Sequence, residues 1–237
     1  MDNMRTLSIL LVTLFTFNVF AQDTEEGMYD PAAKKILDKV SQKYNGYKAM
    51  KVDVSLNTIN RDADINNTSE MKIILSDTKY QIHVDEDLIM YCDGASIWNI
   101  NTEDKEGTIE EYEEDASGEE ITPSNIWTIY EKGFQYSLTE QVTEGNVKKV
   151  TIDLAPENKD LDYFKIRMVL NEKTHEIISM RIFAKDGTHY VYTLKNFEAN
   201  PSTNDDTFKY NPVAPIPRGE ATPSGRFQNF TDFEKDW

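Results

Sequence analysis

A chain of 237 residues with 39% hydrophobic and 11% aromatic content has enough apolar material for one sizeable core. Its net charge of −17 repels nucleic-acid phosphates and anionic headgroups, which excludes the nucleic-acid-binding classes and favours solubility. A single cysteine excludes a fold built on internal disulfides.

In chain order, residues 1–21 read as a secretory leader. Arg5 precedes the apolar run Leu7 to Phe20, which is too short to span a bilayer, and Val19 and Ala21 supply small residues at the cleavage positions. Gln22 becomes the expected mature start, so the chain is not lipidated there. Residues 22–30 form a leader to the fold, and the net charge stays at −17 because Asp2 and Arg5 leave together. The expected location is the periplasm.

The stretch "DPAAKKILDKVSQKYNGY" predicts a helix with Asp30 as N-cap, Pro31 at its first position and Gly46 as its stop. Ala32, Ile36, Val40 and Tyr44, flanked by Ala33 and Leu37, make its apolar stripe. The period then drops to two. In "MKVDVSLN", Met50, Val52, Val54 and Leu56 alternate with polar residues, and further strands are expected at 71–75, 79–84, 88–91, 97–101 and 108–112. Pro123 opens a predicted short helix carrying Ile126, Trp127, Ile129 and Tyr130, closed by Gly133. Strands resume at 135–138, 148–154, 163–170, 176–184, 188–197 and 207–210, with "KDGT" at 185–188 read as a type I′ hairpin turn. Each strand can pair with the one before it, which predicts an antiparallel meander of about ten strands. From residue 213 to 237 the chain becomes a Pro-rich, aromatic tail.

No catalytic or metal-binding constellation emerges. Cys92 precedes the turn pair Asp93-Gly94 and has no activating base near it in sequence, so it reads as the end of a strand. His83, His175 and His189 belong to no HExxH, CxxC or GxSxG motif. Ten acidic residues between Glu103 and Glu120 lack the order of a calcium loop and read as a solvated charge run. The glycosylation triplets at Asn66 and Asn229 carry little weight behind a bacterial-type leader. The expectation is a non-enzyme without cofactor or metal. What remains is apolar surplus: "MKIIL", "YFKIRMVL" and "HEIISMRIF" present large side chains on both faces, which a curled sheet with helices over its concave side can hide. Such a sheet either fills completely or leaves a cavity, and periodicity leaves both open.

From about Ala33 to Pro212 the sequence resembles the LolA-type periplasmic lipoprotein carriers. "ILDKVSQKYNGYKAMKVDVSL" is similar to their first helix and strand, and "LIMYCDGASIWNIN" to their strand, Asp-Gly turn and tryptophan-bearing strand. "TPSNIWTIYEKGFQY" stands where they have a second lid helix, and the series from "FKIRMVLNEKTHEIISM" to "FKYNP" resembles their last strands. The resemblance implies a mainly β fold with α: an open half-barrel of about ten to eleven antiparallel strands with a helical lid, spanning 31–212. It implies an acyl-chain cavity, for which alternation selects Val52, Val54, Leu56, Ile73, Tyr80, Ile82, Met90, Trp98, Phe164, Ile166 and Met168 from strands. Ile126, Trp127 and Tyr130 are added from the lid, together with Ile36, Leu37 and Val40 on the lid's first helix. The implied partners are outer-membrane lipoproteins, an inner-membrane lipoprotein-releasing transporter and an outer-membrane acceptor, with the carrier a monomer. The family places an Arg-Pro latch at the end of the second strand; Ser76 and Asp77 stand there instead. The alternative is a lipid-sensing or interaction module of envelope signalling on the same fold, and a secreted hydrolase is a third class.

Overall fold

The computed structural model describes residues 29–104, 106–113, 121–210 and 226–228. The expected leader, all of 22–30 but its last two residues, and the tail apart from 226–228 lie outside the described residues, as does part of the acidic run.

Helix α1, Pro31–Asn45, begins where local chemistry says it should. The Asp30 carboxylate accepts from the backbone N–H of Ala32 at 2.7 Å and of Ala33 at 3.4 Å, satisfying two donors that no helical carbonyl can reach. Its other oxygen accepts from the Leu138 N–H at 3.1 Å, and the Asp30 N–H donates to the Tyr136 carbonyl at 3.0 Å. One residue thus caps the helix and ties it to the sheet. The buried stripe is Ala33, Leu37, Val40, Ser41 and Tyr44, one position round from the expected one, so Ala32 is exposed and Ile36 only half-buried. Gly46 ends the helix in the right-handed region (φ −74°), with its N–H reaching back to Lys43 and Tyr44, so no left-handed glycine is needed.

The sheet comprises β1 (Met50–Asn60), β2 (Ile65–Ser76), β3 (Lys79–Val84), β4 (Leu88–Cys92), β5 (Ser96–Asn101), β6 (Glu106–Glu111), β7 (Phe134–Glu144), β8 (Val147–Pro156), β9 (Tyr163–Asn171), β10 (Ile177–Ala184), β11 (His189–Ala199) and the three-residue β12 (Arg226–Gln228). Their order is β12-β6-β5-β4-β3-β2-β1-β11-β10-β9-β8-β7, every pair antiparallel. This corrects the simple meander. Strands β6 and β7 do not pair; two meanders meet instead through β1 and β11, with Val54 opposite Leu194 and Leu56 opposite Tyr192. The sheet is therefore open, mainly β, and curled around α1.

Three local expectations change. The segment 123–133 is not an α-helix: residues 123–128 form successive turns and only Ile129–Glu131 a 3-10 turn. Asn125 explains it, because its side chain accepts from the Thr122 N–H at 2.9 Å and its backbone N–H donates to the Thr122 carbonyl, so local polar bonds outcompete a helical ladder. Residues 207–210 are not a strand. Asn204 and Thr207 form a reciprocal cap that starts a 3-10 turn at Asp205–Phe208. At 185–187 only Gly187 takes a positive φ, +85°, so the connection is a three-residue loop with glycine in the bulge position and not a type I′ turn.

The core is continuous from α1 to the second meander. Leu37 and Val40 pack with Val150, Ile152, Leu154, Ile166, Met168 and Leu170, all within 1% of complete burial. Replacing Asp30 by alanine removes the cap and the Leu138 bond together, so urea unfolding should show a loss of about 1 kcal/mol or more. Burial raises the Asp30 pKa, but its three backbone donors outweigh that and hold it below the ordinary 3.8. The contribution should be full above that ordinary value and vanish as pH falls through the lower folded one.

Candidate functional site

The inner face of the first meander is covered differently. Val52 stands opposite Ile73, Val54 opposite Met71, Ile73 opposite Ile82, and Ile82 opposite Met90, so cross-strand register lines one face with apolar side chains. No helix among the described residues fills the space above them. A cavity of about 330 Å³ remains, bounded on one side by Tyr44 of α1 and by Ile121, Thr122, Pro123, Ile126 and Trp127. Its far side is Ile177 and Met180 of β10 with Tyr192, Leu194 and Phe197 of β11, and no charged side chain reaches it.

Of the residues expected to line this space, Val52, Val54, Ile73, Tyr80, Ile82, Met90, Ile126 and Trp127 do so. The others stand elsewhere, each for an identifiable reason. Leu56 packs at the edge of the Val52–Val54–Met71–Ile82 cluster without lining the cavity. Ile166 and Met168 share the correct face but lie beneath α1, in filled core. Tyr130 is core as well, its hydroxyl turned to α1. Trp98 is opposite Tyr91, which is opposite Gln81, and that row belongs to the sheet's outer face. Phe164 also faces outward and is 51% exposed; a register shift at Phe183/Ala184 rotates the start of β9 out of phase. Ile36, Leu37 and Val40 anchor α1 to the core without reaching the cavity.

Sequence reasoning passed over Tyr44, Met180, Tyr192 and Leu194. The alternation of Tyr190, Tyr192 and Leu194 along β11 was a usable signal, but only the β1–β11 pairing places that strand beside Val54.

Three side-chain bonds hold the covering segment to α1. The Trp127 indole N–H donates to Asn45 Oδ1, the Tyr130 hydroxyl to Asp38 Oδ1, and the Ser41 hydroxyl to Glu131 Oε1, each at 2.9 Å. Trp127 also stacks on Tyr44 with ring centroids 5.6 Å apart, and Tyr44 in turn accepts the Ile177 N–H at 3.0 Å. Burial pushes Tyr44 and Tyr80 up to about 12, so both stay neutral in and around the cavity. The Lys34 ammonium, with help from Tyr130, holds Asp38 below its ordinary value and keeps it an acceptor.

Beside the apolar cavity lies a polar cleft of about 620 Å³, sharing Tyr44, Met50, Leu75, Thr122 and Trp127 with it. Lys48, Asp77, Glu131 and Lys132 stand in its wall. No cluster of metal-ligating residues occurs among the described residues, and no described helix is long and apolar enough to cross a membrane. Cys92 is fully buried at the end of β4, and burial raises its thiol pKa. All three histidines are held below their ordinary value, burial being the first cause in each.

The fold and site together define an open antiparallel sheet with a covering segment over an apolar cavity. Residues 78–211 match the family described as Outer membrane lipoprotein carrier protein LolA, more than half of the chain, and the protein belongs to that family. Among solved structures, an uncharacterized conserved protein from Thermus thermophilus shares the fold at TM-score 0.51 and 9% identity, over 77% of this chain and 96% of its own. A LolA superfamily protein from Nitrosomonas europaea aligns at TM-score 0.41 and 10% identity, over 75% of this chain and 97% of its own. The lipoprotein LppX of Mycobacterium tuberculosis aligns at 0.45 and 10%, over 75% and 100%. No curated protein matches the sequence.

Combining Asn45→Ala with Tyr130→Phe removes two of the lid bonds, the neutral one worth about 0.5–1.5 kcal/mol and the one to the Asp38 carboxylate about 1.5–3 kcal/mol at most. Stopped-flow release of a bound fluorescent fatty acid should then be roughly tenfold faster than in the parent. Cys92 should react with a thiol reagent only at the rate of unfolding.

Proposed function

We propose that the protein is a periplasmic carrier and not an enzyme. It takes lipoprotein acyl chains from an inner-membrane releasing transporter, shields them across the aqueous space and hands them to an acceptor at the outer membrane. The observation that carries this reading is the apolar cavity covered by a segment that side-chain hydrogen bonds tie to α1. Membership of a carrier family supports it.

Each methylene exposed to water costs about 0.8 kcal/mol, so an acylated chain end does not cross water unescorted. The escort must also release. A few side-chain hydrogen bonds and one aromatic stack hold a lid without making its opening prohibitive, and Met71, Met90 and Met180 give walls that adapt to different chains. At about 330 Å³ the cavity lies near the low end of the roughly 300–1,000 Å³ usual for ligand sites, so a triacylated end requires the lid to move outward.

The test fills the cavity from within. Val54→Trp should weaken uptake of a fluorescently labelled triacylated peptide at least about tenfold, or 1.4 kcal/mol, while Trp98→Ala, on the outer face, should leave it within about twofold. Equal binding by both variants and the parent would place the acyl site elsewhere.

A further inference from the structure

The outer face of β9–β11 carries a constellation that the cavity does not use. Phe183 on β10 stands directly opposite Lys165 on β9 and His189 on β11. The Lys165 ammonium lies 4.1 Å from the ring centroid, and the Arg181 and Arg167 guanidinium carbons lie 5.8 and 6.0 Å from it. The His189 ring meets its edge at 4.7 Å, and Phe164, 51% exposed, sits beside it at 6.0 Å. Phe183 is thereby a platform under a cationic layer.

The charges here are unbalanced in a way that a merely solvated face would avoid. Arg167 and Arg181 are direct cross-strand neighbours, and like charges so placed are destabilising. Asp153 takes the Arg167 fork through two bonds of 2.7 Å and stands 3.9 Å from Lys165, but Arg181 has no ion-pair partner among the described residues. Arg61 lies near enough to act on His189, and Glu140 on Arg167. Around Phe183 three cations, Lys165, Arg167 and Arg181, therefore meet two carboxylates, Asp153 and Glu140, on a chain whose net charge is −17, while at the hairpin end Arg61 is accompanied by Asp62 and Asp186.

We propose that this face is a docking surface for an anionic lipid bilayer, with Arg181 and Lys165 taking headgroup phosphates and Phe164 entering the interfacial region. A protein this acidic is repelled by such a bilayer in most orientations, so a local cationic, aromatic face selects the orientation in which it can approach. The choice of face has a consequence for loading. Met180 and Ile182, the neighbours of Arg181 along β10, point to the inner side, so adhesion through Arg181 leaves the lid clear of the bilayer and free to open.

The test is flotation of the processed protein with vesicles of pure phosphatidylcholine or of phosphatidylcholine mixed with phosphatidylglycerol, at low and high salt. The parent should bind the anionic vesicles preferentially and lose that preference in salt. Each basic residue at such a surface is worth about fivefold in affinity, so the Lys165→Glu/Arg181→Glu double variant should lose at least about twenty-five-fold. Arg181→Gln and Phe164→Ser, milder changes on an exposed face, should each lose several-fold with unchanged thermal unfolding, which guards against a folding defect. Equal binding of the parent to both vesicles, or parent-like binding by the double variant, would overturn the proposal. So would loss of flotation in Val54→Trp, because binding would then arise from lipid entering the cavity. The docking face can fail in these ways while acyl uptake persists.

Discussion

The structure depends on a shortage of cover. An antiparallel sheet with two apolar inner stretches must hide both from water, and a single described α-helix is available to do it. Helix α1 covers the part of the second meander formed by β8 and β9, where Ile152, Leu154 and Ile166 are fully buried. Above the first meander the described cover is the segment from Ile121 to Glu131, mostly turns with one 3-10 turn, and such a segment cannot present a continuous apolar stripe. The cavity is what the mismatch leaves.

That mismatch also sets how the ligand is held. A helix packed into the space above Val52, Val54 and Ile82 would bury more apolar surface and would leave no cavity. The covering turns instead contribute Trp127, 8% exposed and stacked on Tyr44, and reach α1 through Asn45, Asp38 and Ser41. These contacts join side chains at the surface of α1 and not its backbone, so they can break without disturbing the helix. Ser76 and Asp77, which stand where the resemblance implies an arginine latch, both lie in the wall of the polar cleft. The lid is tied here by helix-to-lid bonds.

Much of this was legible in local chemistry. Asp30 and Pro31 announce the start of α1, and the wet and dry alternation from Met50 to Val54 announces β1 with its inner face. What escaped was whatever depends on pairs distant in sequence. The β1–β11 junction has no local signal, and without it Tyr192 and Leu194 cannot be placed beside the cavity. Ile166 and Met168 alternate just as Ile73 and Ile82 do; only the position of α1 decides that one pair is core and the other lining. Trp98 was misplaced because its strand is half-buried almost throughout, which removes the contrast that alternation needs. The helix expected at 123–133 failed on side-chain competition from Asn125, a choice settled by a few bonds.

The central claim is that the cavity carries lipoprotein acyl chains, and native mass spectrometry of the protein recovered from its own host tests it most directly. The account predicts a population with added mass equal to a triacylated lipoprotein, lost when the lid bonds and cavity walls are altered. A protein that emerges empty, and that stays empty when offered lipoprotein released from membranes, would contradict it.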